Sequence, residues 1–209
     1  MNAKTILTIV FALSAGLASA DVMKFTVDDL GGRNVAGFTS KAPIENIVGT
    51  TNAVTGYVTF DPMDLSIPVK CRITVDLTKV TTGINLRDEH MRSADYLNTA
   101  AYPEAVLVLD GKINAKAALL TDGKPLDLTF KGEFTVHGVT KTVEIRGKAT
   151  YLKEVAGLVE YGYPGDMLNF DGNFTIKLSD YGIKIPQLLV LKLADETNVN
   201  VNFTATTGR

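Results

Sequence analysis

The chain has little of what catalytic and nucleic-acid-binding proteins usually display. Its 209 residues include one Cys, two His and no Trp. A single Cys excludes an intramolecular disulfide and any cysteine-rich zinc site. Charge is nearly balanced, with 21 Lys and Arg against 23 Asp and Glu, and the isoelectric point is near 5.7. Without a basic block, little can displace counterions from a phosphate backbone, which argues against nucleic-acid binding. An apolar content of 45% is too high for an intrinsically disordered chain. No G-x-S-x-G, H-E-x-x-H or P-loop motif is present. Beyond the first twenty residues, no apolar run is long enough to span a bilayer.

Those first twenty residues have a character of their own. Lys4 supplies a positive start, Thr5 to Leu17 is an uncharged and mostly apolar run, and Ala18-Ser19-Ala20 is an A-x-A cleavage site. Residues 1–20 therefore read as a secretory signal peptide, leaving one domain at 21–209 that is exported to the periplasm. The lone Cys71 suits an oxidising compartment in which unpaired thiols are few.

What is abundant is β-branched: 24 Thr and 20 Val. The apolar spacing has period two. Asn198 to Thr206 alternates strictly, and Leu168 to Leu178 places Phe170, Phe174, Ile176 and Leu178 on one face. Residues 69–77 point Cys71, Ile73 and Val75 one way, while 128–136 and 143–149 repeat the scheme. Further strands are expected at 22–28, 34–40, 53–60, 104–113 and 188–193. His137-Gly138 suits a tight hairpin, and Asp122-Gly123-Lys124-Pro125 and Tyr163-Pro164-Gly165-Asp166 are further turns. The fold class is all-β, an antiparallel barrel or sandwich with one wet and one dry face per strand. One helix interrupts it. Asp88 is expected to cap a segment reaching Leu97, with Met91, Ala94 and Leu97 forming an apolar stripe.

Candidate chemistry is sparse. His137 in a turn has a sufficient structural role, and a capping or hydrogen-bonding role accounts for His90 beside Arg87 and Asp88. Two distant His give no metal-ligand spacing, so neither metal nor cofactor is expected. Asp127, Glu133, Glu144 and Asp171 alternate with apolar residues and read as solvent-face charges, not as an acid–base pair. The reading is therefore a binding protein and not an enzyme. Phe130, Phe134, Phe170, Phe174 and Phe203 share the inward face, interleaved with Gly132 and Gly172. They could line a tunnel for a long apolar ligand or fill an ordinary core with Gly at bends.

Four segments in order resemble the YceI-like family. Thr82-Gly-Ile-Asn-Leu-Arg87-Asp88-Glu-His90-Met91-Arg-Ser93-Ala-Asp95-Tyr96-Leu97-Asn98, followed by Tyr102-Pro103, resembles its hallmark segment. Leu128 to Val143 resembles its strand–G-V-T-K–strand hairpin, and Leu178 to Ile183 and Leu193 to Val199 resemble its closing segments. Met91 stands for the usual Leu, Tyr96-Leu97 stands for two Phe, and the frequent D-x-x-H-S opening is missing. The resemblance implies a lipocalin-like, extended antiparallel β-barrel of about eight strands, with a short helix after the fourth or fifth. It implies a polyisoprenoid or other long-chain lipid as partner, and pairing as a homodimer. On that reading Ile73, Val75, Met91, Tyr96, Leu97, Phe130, Phe134, Phe170, Phe174, Ile176 and Phe203 line the tunnel. Arg87, Asp88 and His90 shape the mouth and meet a head group. The competing expectations are a stress-related structural or interaction protein with a solid barrel, and an enzyme acting on a lipid or quinone through His90.

Overall fold

Alternating sequence becomes alternating burial along the long strands of the computed structural model, which describes residues 21–28 and 31–209. The signal segment expected at 1–20 lies outside the described residues. In chain order the elements are β1 (Met23–Asp28), β2 (Val35–Lys41), β3 (Asn46–Thr51), β4 (Val54–Phe60) and β5 (Val69–Asp76). Then come α1 (Asn85–Arg92), β6 (Glu104–Gly111), β7 (Asn114–Ala115), β8 (Pro125–Val136), β9 (Val139–Leu152), β10 (Met167–Lys177) and β11 (Glu196–Thr206).

The strands form one antiparallel sheet in the order β1-β4-β5-β6-β8-β9-β10-β11-β2-β3, and Thr26 of β1 pairs with Thr206 of β11. That last pairing closes the sheet. β1 and β2 both run along the same edge of β11, one pairing near Thr206 and the other at 197–202. They act as one interrupted wall strand, and β3 and β4 do the same beside them. The result is a closed, eight-stranded antiparallel barrel of lipocalin-like shape; among the described residues its single α-helix follows the fifth strand. Closure removes most of the edge that an open sheet would present.

Local signals explain much of this. In the β8–β9 hairpin, His137 has φ 52° and Gly138 φ 73°, the two positive values that a two-residue turn matched to strand twist requires. The His137 ring also reaches across to the Tyr181 carbonyl at 2.9 Å and packs edge-on to Tyr102. Asp127, Glu133, Glu144 and Asp171 are all exposed on the outer faces of their strands.

Three expectations are corrected. Residues 188–193 are not a strand but a 3-10 turn (Gln187–Leu189) followed by further turns. Both edges of β11 are already occupied there, by β10 and β2, so an added strand has no partner. The helix spans Asn85–Arg92 and not 88–97, and Asp88 does not cap it; the N-cap is Ile84, without a side-chain cap. Residues 93–99 instead fold back in turns, with the Leu97 amide donating to the Met91 carbonyl at 3.0 Å, and Ala94 is exposed and not part of the stripe. β3 was not expected, because its inward positions are Ile47, Gly49 and Thr51, of which only one is strongly apolar.

Candidate functional site

The interior of the barrel divides into two spaces. One is a cavity of about 450 Å³ at the helix end, and the other a void of about 60 Å³ further down. They share no lining residue. The boundary is sharp along three strands. On β5, Ile73 faces the small void and Val75 the large cavity; on β6, Leu107 and Ala105 divide in the same way. On β11, Val201 faces the void and Val199 the cavity. A continuous tunnel is therefore not what these strands enclose.

The waist between the two spaces explains the Gly residues interleaved with Phe. Gly132, Gly147 and Gly172 occupy inward positions on the neighbouring strands β8, β9 and β10, and Gly147 pairs directly with Gly172. The Phe170 ring lies over this bare backbone: a Cβ at Gly172 would come within 2.5 Å of it, and one at Gly147 within 2.7 Å. Beside it, Phe174 packs edge-on to Phe134 with centroids 4.9 Å apart, and Phe134 lines the cavity. Phe170 in turn touches Phe130 and Phe203, at 6.1 and 5.5 Å, around the small void. Gly147 and Gly172 thus make room for the Phe170 ring between the two spaces, whereas a Cβ at Gly132 would meet the Val108 carbonyl and the Leu107 side chain.

The expected lining residues therefore fall into groups. Val75, Met91, Tyr96, Leu97, Phe134 and Ile176 line the large cavity. Ile73, Phe130, Phe170 and Phe203 line the small void, and Phe174 lines neither. At the mouth, Arg87 and His90 reach the cavity, whereas Asp88 does not.

Asp88 works behind the wall. It is 3% exposed, and its carboxylate accepts from Thr81 Oγ1 at 2.6 Å, the Thr82 amide at 2.8 Å and Thr82 Oγ1 at 2.5 Å. Burial pushes its carboxyl up, but these threonine hydrogen bonds, together with nearby Arg92, more than offset that and leave it below the usual carboxylate range. Thr81 and Thr50 exchange backbone hydrogen bonds at 2.9 Å, so Asp88 ties the helix to β3. Arg87 extends the clamp, donating to Thr82 Oγ1 at 2.8 Å, to the Thr82 carbonyl at 3.1 Å and to Glu45 at 2.7 Å.

Other residues at the mouth were not among the expected lining. Residues 183–193 form a strap whose Ile183, Leu189, Lys192 and Leu193 line the cavity. Its far end is pinned where the Ala194 amide donates to the buried Ser40 hydroxyl and where Asp195 accepts from Ser179. Thr197 also lines the cavity; it is 4% exposed, and among the described residues its hydroxyl has no hydrogen-bond partner. Nothing in the spacing of Thr197 set it apart from any other strand threonine. The strap was hidden because its aliphatic run matched a strand as well as it matched a lid.

Among the described residues no group of three or more His, Cys, Asp and Glu is arranged to hold a metal ion. No helix among them is long and apolar enough to cross a membrane.

With this geometry in place, comparison with known proteins is informative. The family model for the YceI-like domain matches residues 23–205. Protein YceI of Escherichia coli is 34% identical over 138 residues, covering 66% of this chain and 64% of that protein. BcnA of Burkholderia cenocepacia superposes with a TM-score of 0.61 at 20% identity, covering 86% of this chain and 99% of the other. A polyisoprenoid binding domain from Saccharophagus degradans, implicated in plant cell wall breakdown, superposes with a TM-score of 0.63 at 18% identity, covering 88% and 99%. These likenesses in fold extend along most of the barrel, and the matched residues run from β1 to β11. The chain belongs to the YceI-like domain family.

Proposed function

We propose that this protein binds a long-chain isoprenoid or similar amphiphilic lipid without chemically altering it, as an exported, periplasmic carrier or store. The observation that carries this reading is the 450 Å³ cavity, whose walls are apolar except near its mouth. Its volume falls within the roughly 300–1,000 Å³ of typical ligand pockets. Burial supplies the affinity, at roughly 0.8 kcal/mol per CH₂ removed from water. The mouth supplies orientation: Arg87, paired with Glu45, and Lys192 stand beside the cavity with the His90 ring as a further polar group, which suits a polar or anionic head group. The Saccharophagus degradans domain, by its description a polyisoprenoid binder, supports the ligand class by likeness of fold.

A solid barrel with no ligand lacks its premise in the helix-side half, where space remains. The direct test is mass spectrometry of an organic extract of the protein purified natively from its periplasm. A lipid recovered near one per chain is the expected result. Failure to recover any, combined with failure to bind added prenyl or acyl chains, overturns the reading.

A further inference from the structure

Resting on the lipid reading, the geometry points to a limit on chain length: the cavity is a blind pocket that takes one chain of about eighteen carbons. The volume sets the figure. A cavity of about 150 Å³ holds one benzene. On the same scale, 450 Å³ holds about three, or about eighteen carbon atoms. The floor sets the limit. Phe134 lines the cavity, Phe174 packs edge-on against it, and Phe170 lies across Gly147 and Gly172 below them. The void beyond, at about 60 Å³, is too small to take the remainder of a longer chain. The head is placed at the other end, where the unpartnered hydroxyl of Thr197 and the ammonium of Lys192 border the same cavity. The ligand is therefore a single-chain amphiphile whose tail stops at the aromatic floor.

The experiment is a binding series with geraniol, farnesol, geranylgeraniol and octaprenol on the full mature chain. Affinity is expected to rise by roughly fourfold per added methylene, the equivalent of about 0.8 kcal/mol, and then to level off at geranylgeraniol. Octaprenol is expected to bind no tighter than geranylgeraniol. In Phe174→Ala the plateau shifts towards longer chains; the wild-type series stands by itself if that variant does not fold. Affinity that keeps climbing to octaprenol in the wild type overturns the length limit while leaving the lipid reading intact. Absence of binding across the whole series overturns the lipid reading itself.

A separate observation concerns the outside of the mouth. Single exposed apolar residues are ordinary, but a contiguous group is not. Ile84 and Leu86 line the cavity yet are more than half exposed, and Leu188, next to cavity-lining Leu189, is 92% exposed. Leu191 and Ile44 are also exposed and are joined by a 3.0 Å backbone hydrogen bond. Across 41–45, 84–92 and 183–193, Lys41, Lys184, Lys192, Arg87 and Arg92 stand against Glu45, which Arg87 holds, buried Asp88 and exposed Glu89. On a chain with net charge −2, this face is locally cationic. We infer that this rim docks on an anionic bilayer surface, aliphatic side chains entering the head-group layer and lysines meeting its charge. Such contact lets a water-insoluble tail pass between bilayer and cavity without crossing water.

Flotation with phosphatidylcholine vesicles, with and without phosphatidylglycerol, tests it. Binding is expected to require phosphatidylglycerol and to weaken with salt. The double variant Leu188→Ser, Leu191→Ser is expected to lose at least tenfold in vesicle affinity. Val155→Ser, Val159→Ser, on the exposed 3-10 turn after β9 at the opposite end of the barrel, is expected to lose nothing. Equal loss in both variants, or in neither, overturns the proposal. So does a rim variant that turns a dimer into a monomer while its vesicle binding is unchanged, since the rim is then a contact between copies.

Discussion

Val199 and Val201 point into the same barrel from the same strand, two positions apart, and meet different surroundings. Val199 borders the cavity, whereas Val201 is packed beside the small void. The contrast holds for the two halves of the molecule. In the lower half, Phe25 stacks on Phe60 at 4.9 Å and meets Tyr151 edge-on at 6.3 Å. The Phe130–Phe170–Phe203 cluster lies above them, leaving about 60 Å³ unfilled. In the upper half, smaller groups such as Ala36, Ala105 and Val75 face inward, and the strap and helix bridge the opening instead of filling it. One half holds the fold together by close packing of large side chains. The other half keeps its walls apart.

Several experiments test this contrast. The largest effect is expected from Phe170→Ala, which empties the waist and should cost about 3–5 kcal/mol in chemical denaturation. Leu97→Ala, at the half-buried edge of the cavity, should cost only about 1–2 kcal/mol. Comparable losses at both sites would mean that the upper half is as tightly packed as the lower.

The paired valines give the next largest difference. Val201→Phe adds bulk where little room exists and should destabilise by about 1–3 kcal/mol. Val199→Phe enters open space and should leave stability within about 1 kcal/mol of the parent, while lipid affinity falls. Denaturation midpoints for the two variants, measured side by side with lipid loading, check both halves of this statement.

Asp88 probes how the open half is held. Asp88→Ala should lower the local stability of residues 81–92 by about 1–2 kcal/mol, read by hydrogen exchange, with little change in the lower strands. The folded carboxyl lies below its ordinary value of about 3.9, so its stabilisation is fully present above that value. It is lost as pH falls through the folded value. Exchange in this segment should therefore rise on acidification in the wild type, and Asp88→Asn should flatten that rise.

The smallest expected signal is chemical. Burial pushes the Cys71 thiol up to about 12, against a lowering contribution from the backbone at Leu109. In the packed half it should resist thiol reagents at mildly alkaline pH until the protein is unfolded. Fast labelling of the native protein would indicate that the lower half opens.

How far these features could be read in advance depends on their range. The strands carrying Phe130, Phe170 and Phe203 were legible because period-two alternation is written into consecutive residues. The turn at His137 and Gly138 was legible for the same reason. The helix near Arg87 was legible as an interruption, but its limits were not, since Asp88 bonds to Thr81 and Thr82 in place of the helix amides. β3 escaped because Gly49 and Thr51 face inward without being strongly apolar. Residues 188–193 of the strap read as a strand because an aliphatic run looks the same in either role.

Which side chains turn inward therefore follows from the order of residues alone, since alternation on a pleated strand is a local property. It also carried the family pattern, whose four segments lie in order along the chain. Which inward residues face a cavity and which fill a core depends instead on how the strands are assembled. That choice rests on the register that sets Gly147 beside Gly172 and on the Phe170 ring lying across both. Space is a property of several strands at once, and no single stretch of residues encodes it.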